Sequence, residues 1–266
     1  MTFDQAWKYP DNHPLSLDQA KALTSGDLGR EHSKILARSC SPLYWYTPED
    51  TRGNVIQANG TLTYTQSNER VFGVTAAHVV REYQAQAARE DCVLQLGNSR
   101  FSLDIIAIDD RLDLATVAIP PAHFREVGKE IAPVSLSRPN DIPQEGRGIM
   151  LCGFVGEDRH LSPGLRVDWG MFVATGIARR VNDKQITWVP DHKAHIPVPG
   201  VPALRRNKNL GGISGGPLIA WFEKVGGLLA YYSLAGVIVE ANPVLENVIA
   251  IRTEFIRPDG TLRAMS

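Results

Sequence analysis

From about residue 54 onward, short runs rich in Val, Ile, Thr and aromatic residues recur between turn residues: TLTYTQ, VFGVTAA, CVLQLG, FSLDIIAI and LATVAI. β-Branched and aromatic residues suit a pleated, half-buried surface, so each run predicts a strand. A stretch at 133–148 containing Pro and Gly interrupts the pattern. It resumes with GIMLCGFV, VDWGMFVATGIARRV, QITWV, PLIAWF, GLLAYYSLAGVIVEA and NVIAIRTEFI. Many short strands without regular intervening helices predict an all-β sandwich or barrel. HVVREYQAQAARED is the main helical exception. The break at 133–148 predicts two β units of similar size.

Residues 1–45 have a different texture. Ser16 followed by Gln19 makes a capping-box pattern, and SLDQAKAL has helical composition. Gly26 and Gly29 break that helix, and REHSKILARS starts another. The expected organisation is a partly helical extension over 1–45, a first β unit over 46–140 and a second over 141–266. Trp7, Tyr44, Trp45 and Tyr46 read either as a docking stripe or as anchors tying the extension to the main body.

Composition narrows the function classes. With 43% hydrophobic and 21% charged residues in 266, the profile is globular, with ample length for one large or two modest cores. A formal net charge of −1 gives no global attraction to nucleic acid or anionic membrane. No window approaches the apolar length of a membrane helix, and the first residues lack the basic head and apolar run of a secretory signal. Cys40, Cys92 and Cys152 are odd in number and widely spaced, which predicts free thiols and a reducing, cytoplasmic setting.

The candidate chemistry centres on NLGGISGGPLIAW, residues 209–221, where four glycines surround one serine. A phosphate-cradling loop would need a Lys after the glycines, and a dinucleotide fingerprint would need a helix; PLIAWF opens with Pro and reads as a strand. A glycine hairpin is the plain structural reading. The chemical one is a nucleophile, Ser214, with room beside it for backbone N–H groups and a substrate carbonyl. Gly212-Ile213-Ser214-Gly215-Gly216 matches the α/β-hydrolase elbow formally. That fold requires its histidine after the serine, and the last histidine here is His195.

Base and acid must therefore lie upstream. The histidines are His13, His32, His78, His123, His160, His192 and His195. His78 stands out because it ends the apolar strand VFGVTAAH, behind small Ala76 and Ala77. Asp113, in RLDLATVAI, places a carboxylate at the entry of an apolar strand, where it needs a hydrogen-bond partner. Asp109 and Asp110 are nearby alternatives that read more simply as a solvated turn. His192 and His195 are spaced as a conceivable metal pair, but no third ligand is evident and the surrounding loop reads as solvated surface.

VTAAH, DLA and GISGGP together resemble the three active-site motifs of the trypsin/chymotrypsin-like serine proteases, in that family's order, over about residues 54–256. The resemblance implies two Greek-key β-barrels with the site between them. It implies a triad of His78, Asp113 and Ser214, with the N–H groups of Gly212 and Ser214 as the oxyanion hole. It also implies a protein or peptide substrate and neither cofactor nor metal. By the family's pattern, the residue six before the nucleophile, Lys208, lies at the base of the specificity pocket and favours an acidic substrate side chain, and Glu240 lies on a strand lining that pocket. The disulfides of secreted members are absent. Ile213 replaces the usual Asp or Asn and cannot pair with a newly released N-terminus. The alternative is a protease-fold binding or scaffold protein, gated shut and acting through a regulatory partner.

Overall fold

TLTYTQ shows in six residues why this chain is a sheet protein with something packed on both faces. Successive strand side chains point to opposite faces. Leu62 and Tyr64 enter an apolar core with Leu43, Trp45, Leu96 and Val117. Thr61, Thr63 and Thr65 are also fully buried, on the opposite face. A strand buried on both sides with polar residues on one of them must find hydrogen-bond partners there.

The computed structural model describes residues 27–48, 55–136, 143–162, 166–190, 208–224, 228–242, 244 and 246–264. The first sheet uses β1 (Cys40–Thr47), β2 (Val55–Gln66), β3 (Val71–Ala76), β4 (Val93–Leu96), β5 (Ser99–Arg100), β6 (Ile105–Asp109), β7 (Leu114–Ala118) and β8 (Val134–Ser135). Its order is β5-β4-β1-β2-β3-β7-β6, antiparallel along that path, with β8 added parallel to β2. The second sheet uses β9 (Gly148–Ser162), β10 (Arg166–Ile177), β11 (Arg180–Val181), β12 (Gln185–Trp188), β13 (Pro217–Lys224), β14 (Leu228–Asn242) and β15 (Asn247–Arg252). Its order is β10-β9-β13-β14-β15-β12-β11, antiparallel throughout. The protein is thus mostly β, in two antiparallel sheets. The α-helices among the described residues are α1 (Asp27–Ser39), α2 (Ala77–Ala87) and the single turn α3 (His123–Glu126). No helix among the described residues is long and apolar enough to cross a membrane.

Each sheet has its own apolar core, and a third core lies between them. Phe72 and Val74 of β3 meet Met150, Cys152 and Phe154 of β9 and Leu234 and Val237 of β14. Buried apolar area at about 25 cal/mol per Å² makes this contact a main source of the attraction between the halves. The C-terminal segment adds to it. After a 3₁₀ turn at Thr253–Phe255 the chain returns to the first sheet, where Thr116 Oγ1 donates to Gly260 O (2.6 Å) and Ser67 Oγ to Pro258 O (2.6 Å).

Two expectations change at the N-terminal side. Residues 40–45, assigned to an extension, form most of β1, which pairs with β2 on one side and β4 on the other. Tyr44 and Trp45 are buried, Tyr44 against Trp169 and Trp45 edge-on to Tyr83 of α2, so they are core and no docking stripe. Helix α1 also runs through Gly29 without breaking. The helix expected near Ser16, with Trp7 and His13, lies outside the described residues, as does the middle of the interruption at 133–148, residues 137–142.

Candidate active site

Strand β3 ends at Ala76 and helix α2 begins at once, so His78 stands in the first turn of a helix and not at a strand end. The first N–H groups of a helix have no partner within it. Asp113 supplies the partners. Its backbone carbonyl accepts the Ala77 N–H (3.0 Å) and its Oδ1 accepts the His78 N–H (2.8 Å). Its other oxygen, Oδ2, lies 2.7 Å from His78 Nδ1. One carboxylate thus caps the helix and fixes the imidazole ring, with Nδ1 facing the acid.

Asp113 does this from a left-handed backbone conformation, φ 53°. For a non-glycine residue that conformation costs on the order of 1 kcal/mol or more and persists only where the surroundings demand it. Asp109 prepares the turn: its Oδ1 accepts the N–H groups of Arg111 (2.8 Å) and Leu112 (3.0 Å). Asp110 pairs with Arg81 at the surface. The three neighbouring carboxylates therefore have separate tasks, and it is Asp113 that reaches His78. The Asp113 hydrogen bond raises the His78 pKa above its ordinary value. Burial works against the shift, and the charges of Asp113 and Glu82 add to it. The imidazole stays open to solvent, its side chain 47% exposed.

The serine loop comes from the other sheet, immediately before β13. Gly212 and Gly215 have φ of 98° and 91°, the left-handed region that glycine enters freely. Space excludes a side chain as well. A Cβ on Gly215 would stand 1.9 Å from Thr61 O, one on Gly216 2.1 Å from Cys152 O, and one on Gly212 2.1 Å from Asn59 Nδ2. The cluster is therefore no simple hairpin: the turn is pressed between β2 of one sheet and β9 of the other. Ile213 is fully buried in the second core, and a Cβ on Gly153 would meet its side chain at 2.6 Å. An apolar anchor stands at the position where the resemblance leads one to expect Asp or Asn.

The polar partners of this turn are the buried threonines of the first sheet. Thr61 N–H donates to Ser214 O (2.8 Å), and Thr61 Oγ1 donates to Gly212 O (3.0 Å) while accepting Phe154 N–H (2.9 Å). Thr63 Oγ1 donates to Gly215 O (2.8 Å), and Thr75 Oγ1 to Thr61 O (2.7 Å). Asn59 Nδ2 donates to Phe154 O (2.8 Å). Sequence reading missed all four residues. The signal was present in TLTYTQ as a row of β-branched hydroxyls on one strand face, without any indication of what they face.

Helix α2 and Ser214 converge on Gly60: a Cβ there would lie 2.6 Å from a Val79 methyl and 3.3 Å from Ser214 O. The structure thus joins His78 to Asp113 and packs helix α2 and the Ser214 backbone against the same glycine. Ser214 Oγ donates to Val239 O at 3.5 Å, and no hydrogen bond links it to His78. Among the described residues the N–H groups of Gly212 and Ser214 have no acceptor, whereas those of Ile213, Gly215 and Gly216 donate to Leu210, Ile238 and Ile213 carbonyls.

Lys208 is held away from bulk solvent. Its Nζ donates to Asp158 Oδ2 (2.6 Å) and lies 5.7 Å from the Phe172 ring centroid. Asp158 neutralises it. Glu240 is exposed on β14, adjacent to Val239. His192 and His195 lie outside the described residues. His123 is buried in the first sheet, its Nε2 2.8 Å from Tyr64 OH. Among the described residues no group of three or more His, Cys, Asp or Glu could hold a metal ion. No known family model matches the chain, and no curated protein matches it.

Proposed function

We propose that this chain is a trypsin-like serine endopeptidase. The observation that carries the reading is the two-point hold of Asp113 on His78, through the backbone N–H at 2.8 Å and Nδ1 at 2.7 Å, beside a serine on a glycine-shaped turn. An imidazole fixed with Nδ1 toward a carboxylate presents Nε2 as a base. Rotation of the Ser214 side chain away from Val239 O brings its hydroxyl to that base. Ser214 Oγ then attacks the scissile carbonyl while His78 takes its proton. The N–H groups of Gly212 and Ser214 receive the oxyanion. His78 returns the proton to the leaving amine, and a water activated the same way releases the acyl group.

In this reading each sheet is one Greek-key barrel, the first over 46–140 with β1 added to its start and the second over 141–266. The substrate is a protein or peptide in the reducing cytoplasm, with no nucleic acid or membrane involved. Lys208 lines the specificity pocket as half of an ion pair with Asp158, which weakens the preference for an acidic substrate side chain; Glu240 stands at the pocket rim.

The second reading is a gated form acting through a regulatory partner, and the Ser214–Val239 contact is what favours it. One experiment separates the two. A fluorophosphonate labels a serine only when its base has activated it. Labelling of wild type and its loss in Ser214→Ala and His78→Ala support the peptidase. Labelling that requires an added cellular fraction supports the gated form. Equal labelling of wild type and Ser214→Ala refutes both.

A further inference from the structure

Cys40 and Cys152 are 112 positions apart in sequence, yet their sulfur atoms lie 3.4 Å apart, both fully buried in the core between the sheets. Cys40 opens β1 of the first sheet and Cys152 belongs to β9 of the second. Both are thiols in this structure. Cys40 Sγ also lies 3.3 Å from Leu36 O, the acceptor for its own hydrogen. With that hydrogen engaged, the Cys152 thiol is the donor between the two sulfurs, and Cys40 is the sulfur left free to attack. The Lys129 ammonium, largely withdrawn from solvent, donates to the Cys40 carbonyl and to Ala37 O (2.8 Å), so a positive charge stands beside the pair. A cation favours the thiolate, the nucleophilic form of cysteine.

We propose that Cys40 and Cys152 are a modification site: in the presence of a peroxide they form a reversible disulfide that ties the first sheet to the second beneath the serine turn. A disulfide has its sulfurs about 2.05 Å apart, so closing the bond needs about 1.4 Å of approach, within reach of side-chain rotation and small strand shifts. The Cys40 thiolate attacks one peroxide oxygen, the O–O bond breaks, and Cys40 becomes a sulfenic acid as hydroxide departs and is protonated to water. Cys152 sulfur then attacks Cys40 sulfur. The S–O bond breaks, the hydroxyl leaves with the Cys152 proton as a second water, and the S–S bond forms. Two thiols have given up two electrons and two protons, and one peroxide has become two waters. Because both sulfurs are buried, the peroxide enters through opening of the last turn of α1, which covers Cys40, and the reaction is slower than at a solvent-exposed thiol.

The position gives the bond its consequence. A Cβ on Gly216 would lie 2.1 Å from the Cys152 carbonyl oxygen, so Cys152 backbone is the floor of the turn. Cys40 pairs with Thr63, whose hydroxyl holds Gly215 O. The disulfide therefore joins β9, the floor of the turn, to β1, the strand paired with the β2 threonines that hold residues 212–216, and the proposal concerns the thiols whether or not Ser214 is a nucleophile.

The test uses the full chain with Cys92→Ser, incubated with hydrogen peroxide under native conditions, alkylated, digested and mapped by mass. The expected result is a peptide joining Cys40 to Cys152, removed by a dithiol, with Tm higher by roughly 5–15 °C in the oxidised protein. Cys40→Ser and Cys152→Ser in the same background each give no cross-linked peptide within one chain, and because either variant alone suffices, failure of one to fold leaves the test intact. Over-oxidation of both cysteines without a cross-link, or two free thiols after peroxide has consumed an exposed thiol in a control protein, overturns the proposal.

Discussion

Asp113 carries strain, helix capping and ring orientation in one side chain, which makes its substitution more informative than that of His78. Asp113→Asn keeps the size but leaves an amide facing Nδ1, so the imidazole loses the acceptor that fixes its tautomer. Peptidase kcat is expected to fall about four orders of magnitude, with the fold retained, as read by kcat and circular dichroism on the same preparation. Ser214→Ala is expected to remove about six. The pH profile belongs to the same residue. In the proposed mechanism the base is neutral His78, whose pKa is raised, chiefly by the Asp113 hydrogen bond. The kcat/KM of the wild type should therefore rise with pH through one ionisation above the usual ~6.5. A limb below that value would mean that a different group acts as base. For Gly215 the argument is steric. Its φ of 91° and the 1.9 Å approach of any Cβ to Thr61 O leave no relaxed position for a side chain. Gly215→Ala is expected to lower the urea midpoint and to abolish fluorophosphonate labelling together.

Strand β2 holds the serine turn through its buried threonines, a role its sequence does not announce. Thr61 alone holds Ser214 O, Gly212 O and Phe154 N. Thr61→Val preserves shape and removes the hydroxyl, leaving Gly212 O and Phe154 N without that partner. An unsatisfied buried group costs about 1–3 kcal/mol, so denaturant unfolding should show a loss in that range. The labelling rate should fall with it, because Gly212 is then free to turn its N–H away. The strand itself was legible: TLTYTQ has the residue types of a pleated, two-sided strand. Its role was not, because the loop it grips lies about 150 positions later and nothing local announces that contact. The glycine turn was legible as chemistry for the opposite reason, since its unusual backbone is written in its own residues. β1 escaped notice because CSPLYWYT follows directly on a helix without a turn signal and contains a proline. Lys208 was visible as a charge, but its neutralisation by Asp158 depends on β9 lying beside the segment that leads into β13, where Gly156 N–H donates to Gly211 O, and charge counting along the chain does not reveal that contact.

At the scale of the molecule, two of the described histidines shift stability near neutral pH in opposite senses. His123 is buried with a lowered pKa, mainly through desolvation. The unfolded chain binds its proton more readily, so this stabilisation is full above about pH 6.5 and is lost as pH falls toward the depressed folded value. His78 has a raised pKa, so its contribution is full below about 6.5 and is lost as pH rises through the folded value. His123→Gln removes the first effect alone and should flatten the acid side of a plot of Tm against pH while leaving the alkaline side as in wild type. The C-terminal segment acts at this scale as well. Gly260 lies against Ile106 and Phe72 of the first sheet, and its carbonyl takes the Thr116 hydroxyl. Phe72 is made some 190 residues before that cover. At roughly 5–20 residues per second on the ribosome, the first sheet waits about 10–40 s for a neighbour it needs. Until then Phe72 and Val74, buried against the second sheet in the folded chain, lack the cover they have there.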